Sequence, residues 1–269
     1  MVPTILDRIV AGKHDELAAR RVARPLAEVQ HAAATAPPPR DFHAALTAVP
    51  SHGVHLIAEI KRKSPSAGLI RADFDPAAIA AVYYANGASA LSVLTDEPWF
   101  DGRLEFIEQV KAAVPLPVLR KDFLVDPYQV YESRAAGADA VLLIGEVLEP
   151  RLLAEMLDLA CLLGMTSLIE VHEPATLQAL QAAVGFPNDK RSLLGINNRD
   201  LTVQRTDLDT TLRLAREVGP GTILVSESGI KDHRDVERVA AAGVHAILVG
   251  ETLMRSPDIG QAVRDLLGK

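Results

Sequence analysis

The stretch AGADAVLLI, residues 136–144, recurs in outline as NGASALSVL at 86–94 and as AGVHAILVG at 242–250. In each, a glycine (Gly137, Gly87, Gly243) stands where a helix would stop, just before a short apolar run. Glycine accepts the left-handed backbone that ends a helix, and a brief apolar run rich in β-branched residues reads as a buried strand. The three stretches are one helix-to-strand joint used repeatedly.

Working outward from these joints, strand-like runs occur at VHLIAEI (54–60), ALSVLTD (90–96), LPVLRKDF (116–123), DAVLLIG (139–145), TSLIEVH (166–172), SLLGINNRD (192–200), TILVSESG (222–229) and HAILVG (245–250). Helix-period segments separate them, among them DPAAIAAVYYANG, DPYQVYESRAAG and DHRDVERVAAAG, many opening on Asp or Pro and closing on Gly. Eight strand-helix alternations match a closed barrel, and no strand is followed by the GxGxxG turn of an open dinucleotide-binding sheet. The fold class is α/β: a single (β/α)8 TIM barrel over residues 1–269, with residues 1–50 as a helical N-terminal extension broken at PPPRD (37–41). That extension could cover the barrel bottom or form a lid over its top. The length leaves no room for a second barrel.

Composition agrees. The chain is 48% hydrophobic but only 4% aromatic, so its core is built from Ala, Leu, Val and Ile, as in parallel sheets covered by helices. A formal charge of -7 offers no general attraction to nucleic acid or to an anionic membrane, so any basic cluster has a local task. The N-terminus lacks a signal-peptide core and no apolar run reaches the ~20 residues of a membrane span, which predicts a soluble, cytoplasmic protein. Cys161 is the single cysteine, in an apolar helical run, and is expected to be buried and inert. The eight histidines are scattered without metal-ligand spacing; neither a metal nor a cofactor is expected, and His172 reads as a loop or cap residue. No surface patch identifies a protein partner.

In a barrel, chemistry gathers at the C-terminal ends of the strands. Strand residues alternate between faces, so Glu59 and Lys61 share one face, ~7 Å apart, while Ala58 and Ile60 face the other way. Ala and Ile suit a helix-packed exterior, which turns Glu59 and Lys61 inward. The same counting turns Lys121 inward on the third strand, Glu170 on the fifth, and Asn197 with Arg199 on the sixth. Such groups are costly inside an apolar barrel unless they pair around a solvated pocket. After the seventh and eighth strands, Ser228, Gly229 and Gly250 offer a hydroxyl, close backbone approach and a helix start, the makings of a phosphate cradle. Ser64 could complete it. Glu251 is expected to lend its N–H while its carboxylate points away. The substrate would then be a small phosphorylated molecule.

Six motifs in order, AEIKRKSPSAG, LRKDF, LIEVH, GINNRDL, SESGI and VGETLMR, resemble indole-3-glycerol phosphate synthase over about residues 50–255, and the stretch beginning PTILDRIV extends the likeness. The resemblance implies a barrel enzyme that closes the ring of 1-(2-carboxyphenylamino)-1-deoxyribulose 5-phosphate in tryptophan biosynthesis, releasing carbon dioxide and water, and favours a lid role for the extension. It implies Lys121 as the acid for the carbonyl oxygen, Lys61 with Arg199 for the substrate carboxylate, and Glu170 as the group that takes a proton or assists hydroxide departure. Glu59 would hold a lysine in place, and Asn197 would bond the substrate hydroxyls. Phe100, Phe123, Leu142 and Leu201 match positions expected to line an aromatic slot. Two other readings of inward barrel lysines stay open, a Schiff-base aldolase and a noncatalytic phosphometabolite-binding barrel.

Overall fold

The structure is a computed structural model that describes residues 3–50, 53–200, 202 and 205–269. Eight parallel strands close on themselves, each hydrogen-bonded to its neighbours in sequence: β1 (His55–Ile60), β2 (Ala90–Leu94), β3 (Val118–Lys121), β4 (Ala140–Ile144), β5 (Thr166–Val171), β6 (Ser192–Asn197), β7 (Leu224–Glu227) and β8 (Ala246–Val249), with β8 returning to β1. Each lies in one of the eight runs read from the sequence.

The alternation of faces divides the core in two. Leu56, Ala58 and Ile60 of β1, with Leu91 and Val93 of β2, pack outward against the helices. Ile57, Leu119, Leu142, Leu168, Val225 and Leu248 fill the barrel interior. Burying each such side chain contributes about 1.5–3 kcal/mol, so register is firmly specified: a one-residue slip would exchange the two sets.

Three helices precede the barrel: α1 (Ile5–Ala23), α2 (Leu26–Thr35) and α3 (Phe42–Thr47). Those that follow are α4 (Pro76–Asn86), α5 (Glu97–Phe100), α6 (Phe106–Ala113), α7 (Pro127–Ala135), α8 (Pro150–Leu162), α9 (Pro174–Ala183), α10 (Asp209–Leu214), α11 (His233–Ala240), α12 (Glu251–Met254) and α13 (Ile259–Leu267). Their ends obey the expected chemistry. Asp75 and Asp126 cap α4 and α7 ahead of a proline at the first helical position, and Gly87 ends α4 at φ 103°. No helix among the described residues is long and apolar enough to cross a membrane.

The extension reaches both ends of the barrel. Thr4 starts α1 with a capping box: its hydroxyl accepts from the Asp7 N–H, and the Asp7 carboxylate accepts from the Thr4 N–H. Ile5 and Ile9 then lie over the top, where they line the central pocket. The chain descends along α7, with Arg20 paired to Glu132 at 2.9 Å and Arg134 donating to the Ala36 carbonyl. At the bottom, the Arg40 N–H donates to Asp139 ahead of β4, and His55 at the start of β1 bonds the Ala48 carbonyl. The two placements considered for the extension are thus filled by different helices, α1 above and α3 below. Cys161 departs from expectation: on the outer helix α8 it is half-buried, because its neighbours Leu162 and Leu163 mark a helix end open to solvent.

Candidate active site

The C-terminal ends of the strands converge on one pocket that holds Glu59, Lys61, Lys121, Glu170, Asn197, Arg199 and Glu227. Lys61 Nζ lies 2.5 Å from Glu59 Oε1, so Glu59 holds Lys61. Lys121 Nζ lies 2.8 Å from Glu170 Oε2 and 3.6 Å from Glu227 Oε2. The Asn197 amide donates to the other Glu170 oxygen at 3.0 Å, which fixes the carboxylate between lysine and amide.

The two carboxyls beside Lys121 are driven apart. Burial opposes charge on Glu170, but the Lys121 ammonium and the hydrogen bonds from Lys121 and Asn197 outweigh it and hold its pKa below the ordinary value. Glu227 is pushed well above the ordinary value, first by burial and then by the Glu170 charge. Neither Glu227 oxygen has a hydrogen-bond partner among the described residues. Burial also opposes charge on Lys121, yet Glu170, Glu227 and Glu59 together keep its pKa above that of a free lysine. The two carboxyls beside Lys121 therefore differ in proton affinity: Glu170, paired with the ammonium, favours the carboxylate form, and Glu227 favours the acid form.

Glu227 was not among the residues singled out from sequence. The signal was present, since counting along β7 from Val225, which faces the interior, puts Glu227 on the same face; SESGI drew attention to its serine and glycine instead. Glycine makes the space: a Cβ on Gly195 would lie 2.2 Å from Glu227 Oε1, and one on Gly250 would lie 2.2 Å from Glu59 Oε1.

Ser64, Ser228, Gly229, Gly250 and Glu251 line one side of the pocket. Ser228 and Gly229 are consecutive left-handed residues, at φ 66° and φ 81°, a turn of the kind whose N–H groups form an anion-binding concavity. Buried Asn198 secures that turn by donating to the carbonyls of Glu227 and Ser228, and Thr252 donates to the Ile230 carbonyl to tie the last two loops together. Glu251 faces two arginines: Arg255 donates to it at 2.9 Å and Arg199 at 3.3 Å. Burial works against its charge, but those two bonds outweigh it and hold its pKa below the ordinary value. Arg199 also donates to Ser66 at 2.8 Å, joining the loops after β1, β6 and β8. Phe100 and Phe123, with ring centroids 6.2 Å apart, and Leu142 form an apolar wall. Leu201 lies outside the described residues.

Among the described residues, His172, Glu173 and Asp200 form the one group with metal-ligand spacing; it is not part of the pocket wall, and its members come from two different loops. The His172 ring donates to the Asn197 carbonyl at 2.7 Å, a capping contact between β5 and β6. Arg62, at the rim, pairs with Asp101 at 2.9 Å.

A closed (β/α)8 barrel with paired lysines and carboxyls at its strand ends, and a glycine-rich turn beside them, defines a barrel enzyme acting on a small molecule. Comparison with known proteins narrows the class. The family model for indole-3-glycerol phosphate synthase matches residues 6–266. The chain is 50% identical to the indole-3-glycerol phosphate synthase of Rhodopirellula baltica over 264 residues, covering 98% of this chain and 99% of that protein. It is 45% identical to that of Geobacillus thermodenitrificans, with 98% and 97% covered. The chain belongs to the indole-3-glycerol phosphate synthase family, whose members are decarboxylating lyases. Among solved structures, 3-hexulose-6-phosphate synthase from Salmonella typhimurium superposes with a TM-score of 0.63 at 16% identity, over 80% of this chain and 97% of that one, a likeness of fold alone.

Proposed function

We propose that the pocket closes the pyrrole ring of 1-(2-carboxyphenylamino)-1-deoxyribulose 5-phosphate with Lys121 as acid and Glu170 as base. The observation that carries this assignment is the ion pair of Lys121 with Glu170 at 2.8 Å, with the buried carboxyl of Glu227 3.6 Å from the same ammonium. The aromatic carbon bearing the carboxylate attacks the ketone, whose oxygen takes a proton from Lys121. Loss of carbon dioxide returns the electron pair of the broken bond to the ring. The new hydroxyl then leaves as water with a second proton, and Glu170 takes the proton released from the adjacent carbon as the five-membered ring becomes aromatic. Charged Glu170 and charged Lys121 begin in the states these steps need.

The remaining residues bind and orient. Phe100, Phe123 and Leu142 receive the aromatic ring, and Ser64, Ser228, Gly229, Gly250 and the Glu251 backbone hold the phosphate. Arg199 and Lys61 face the carboxylate; Lys61, steered by Glu59, then supplies the proton for the departing hydroxide. Asn197 and Glu227 bond substrate hydroxyls. Helix α1 covers the bound molecule, and the enzyme works in the cytoplasm.

A Schiff-base aldolase requires a neutral lysine amine, and the carboxyls around Lys121 keep it an ammonium. The deciding experiment incubates the protein with the synthetic substrate, follows indole absorbance, and quenches a parallel sample with borohydride. Indole-3-glycerol phosphate without a lysine adduct supports the assignment. A covalent adduct on Lys121 or Lys61 would refute it, as would tight binding with no indole formed.

A further inference from the structure

Helix α1 buries a stripe of Leu6, Ile9, Lys13 and Leu17, and one member of it is charged. Lys13 is only 2% exposed, and its ammonium lies 2.7 Å from Asp96 and 3.1 Å from Asp122, both fully buried. Burial disfavours that ammonium, but the charges of Asp122 and Asp96 outweigh burial and keep its pKa above the ordinary lysine value. An apolar residue would satisfy packing alone, and a buried ion pair gains little stability over one; its best-attested use is to fix register.

The two aspartates lead to different parts of the pocket wall. Asp96 Oδ1 accepts from the N–H groups of Trp99 and Phe100, so it caps the short helix that carries Phe100. Its Oδ2 has no partner besides Lys13 among the described residues. Asp122 stands between Lys121 and Phe123, accepts from the Phe123 N–H at 2.8 Å, and is tied to Arg120 at 3.0 Å and to Thr95 at 2.6 Å. One turn before Lys13, Ile9 lines the pocket itself. A single ammonium thus links the lid, the Phe100 side and the Lys121–Phe123 side.

We propose that Lys13 is a positioning residue, a buried latch that sets the register of α1 over the barrel and thereby shapes the aromatic slot between Ile9, Phe100 and Phe123. It touches no reacting atom. Its effect falls on how well the substrate's ring is held, so it governs KM more than kcat. The kinetic part of the inference rests on the synthase reading above; the spectroscopic part does not.

The test uses the full chain and its single tryptophan, Trp99, which lies beneath α1 with the Arg8 guanidinium 5.8 Å from its ring centre. Lys13→Met leaves Asp96 buried without a counter-charge and is expected to lower the melting temperature, shift Trp99 emission to longer wavelength without substrate, and raise KM about tenfold with kcat within about threefold. The double variant Lys13→Met with Asp96→Asn removes the stranded charge, while the asparagine oxygen can still cap α5. Its melting temperature should return toward the wild-type value, yet KM and emission should stay shifted, because the latch is still absent. Wild-type KM and emission in the folded double variant would overturn the proposal, as would a fall in kcat at unchanged KM. Wild-type protein that forms no indole would count against the synthase reading, and the emission shift would still judge the latch.

Discussion

Gly195 and Glu227 occupy one space: a Cβ on Gly195 would sit 2.2 Å from Glu227 Oε1 and 3.1 Å from a Leu168 methyl. Strand β6 therefore gives up a side chain at this interior position so that β7 can place a carboxyl beside Lys121. The atom met is the tip of a flexible side chain, so Gly195→Ala should fold but push Glu227 aside. We expect a melting temperature close to wild type and kcat reduced about tenfold or more, since small displacements at a reacting centre are costly. Steady-state kinetics alongside a thermal melt checks this; unchanged kcat would show that the position of Glu227 is immaterial.

Glu227 makes stability depend on pH in a definite direction. Its carboxyl holds a proton more tightly in the folded protein than the ordinary value of 4.5 would allow, so folding takes up a proton in the range above 4.5. Stability contributed through this group falls as pH rises through that range. Glu227→Gln keeps the shape and abolishes the titration. Its melting temperature should exceed the wild type's by a margin that is larger near about pH 8 than near about pH 5. A margin that does not change with pH would contradict the raised pKa of Glu227.

The proposed phosphate cradle is a matter of backbone. Gly229 adopts φ 81°, and a Cβ there would also approach a Thr206 methyl at 2.8 Å. Gly229→Ala strains the turn that aims the N–H groups at phosphate, so KM for the phosphorylated substrate should rise by about tenfold, and inorganic phosphate should become a weaker competitive inhibitor. Equal inhibition of variant and wild type by phosphate would place the anion elsewhere.

The fold was legible because parallel barrel strands are short apolar runs punctuated by glycine and Asp-Pro, and local chemistry decides each of them. Face alternation placed Glu59, Lys61, Lys121, Glu170 and Asn197 inward, and the structure brings them to one pocket. The same alternation turns Glu227 inward, two residues after the interior Val225 of β7. Contacts across long stretches of chain were not legible. Nothing local announces that Lys13 will meet Asp96 and Asp122, or that Arg62 will meet Asp101, since both depend on how loops from separate strands assemble. The division of the extension between top and bottom is hidden for the same reason: its anchors include Glu132 and Asp139, which lie 112 and 99 residues further along the chain than the arginines they meet.

The central claim is that the Lys121–Glu170 pair moves the protons. It is tested most directly by measuring turnover of the synthetic substrate with Lys121→Ala and Glu170→Gln, each checked for a native melt. Loss of one member of a general acid-base pair should lower kcat by roughly 10²-fold or more with KM little changed. A kcat within about threefold of wild type in either variant would contradict the role assigned to that residue.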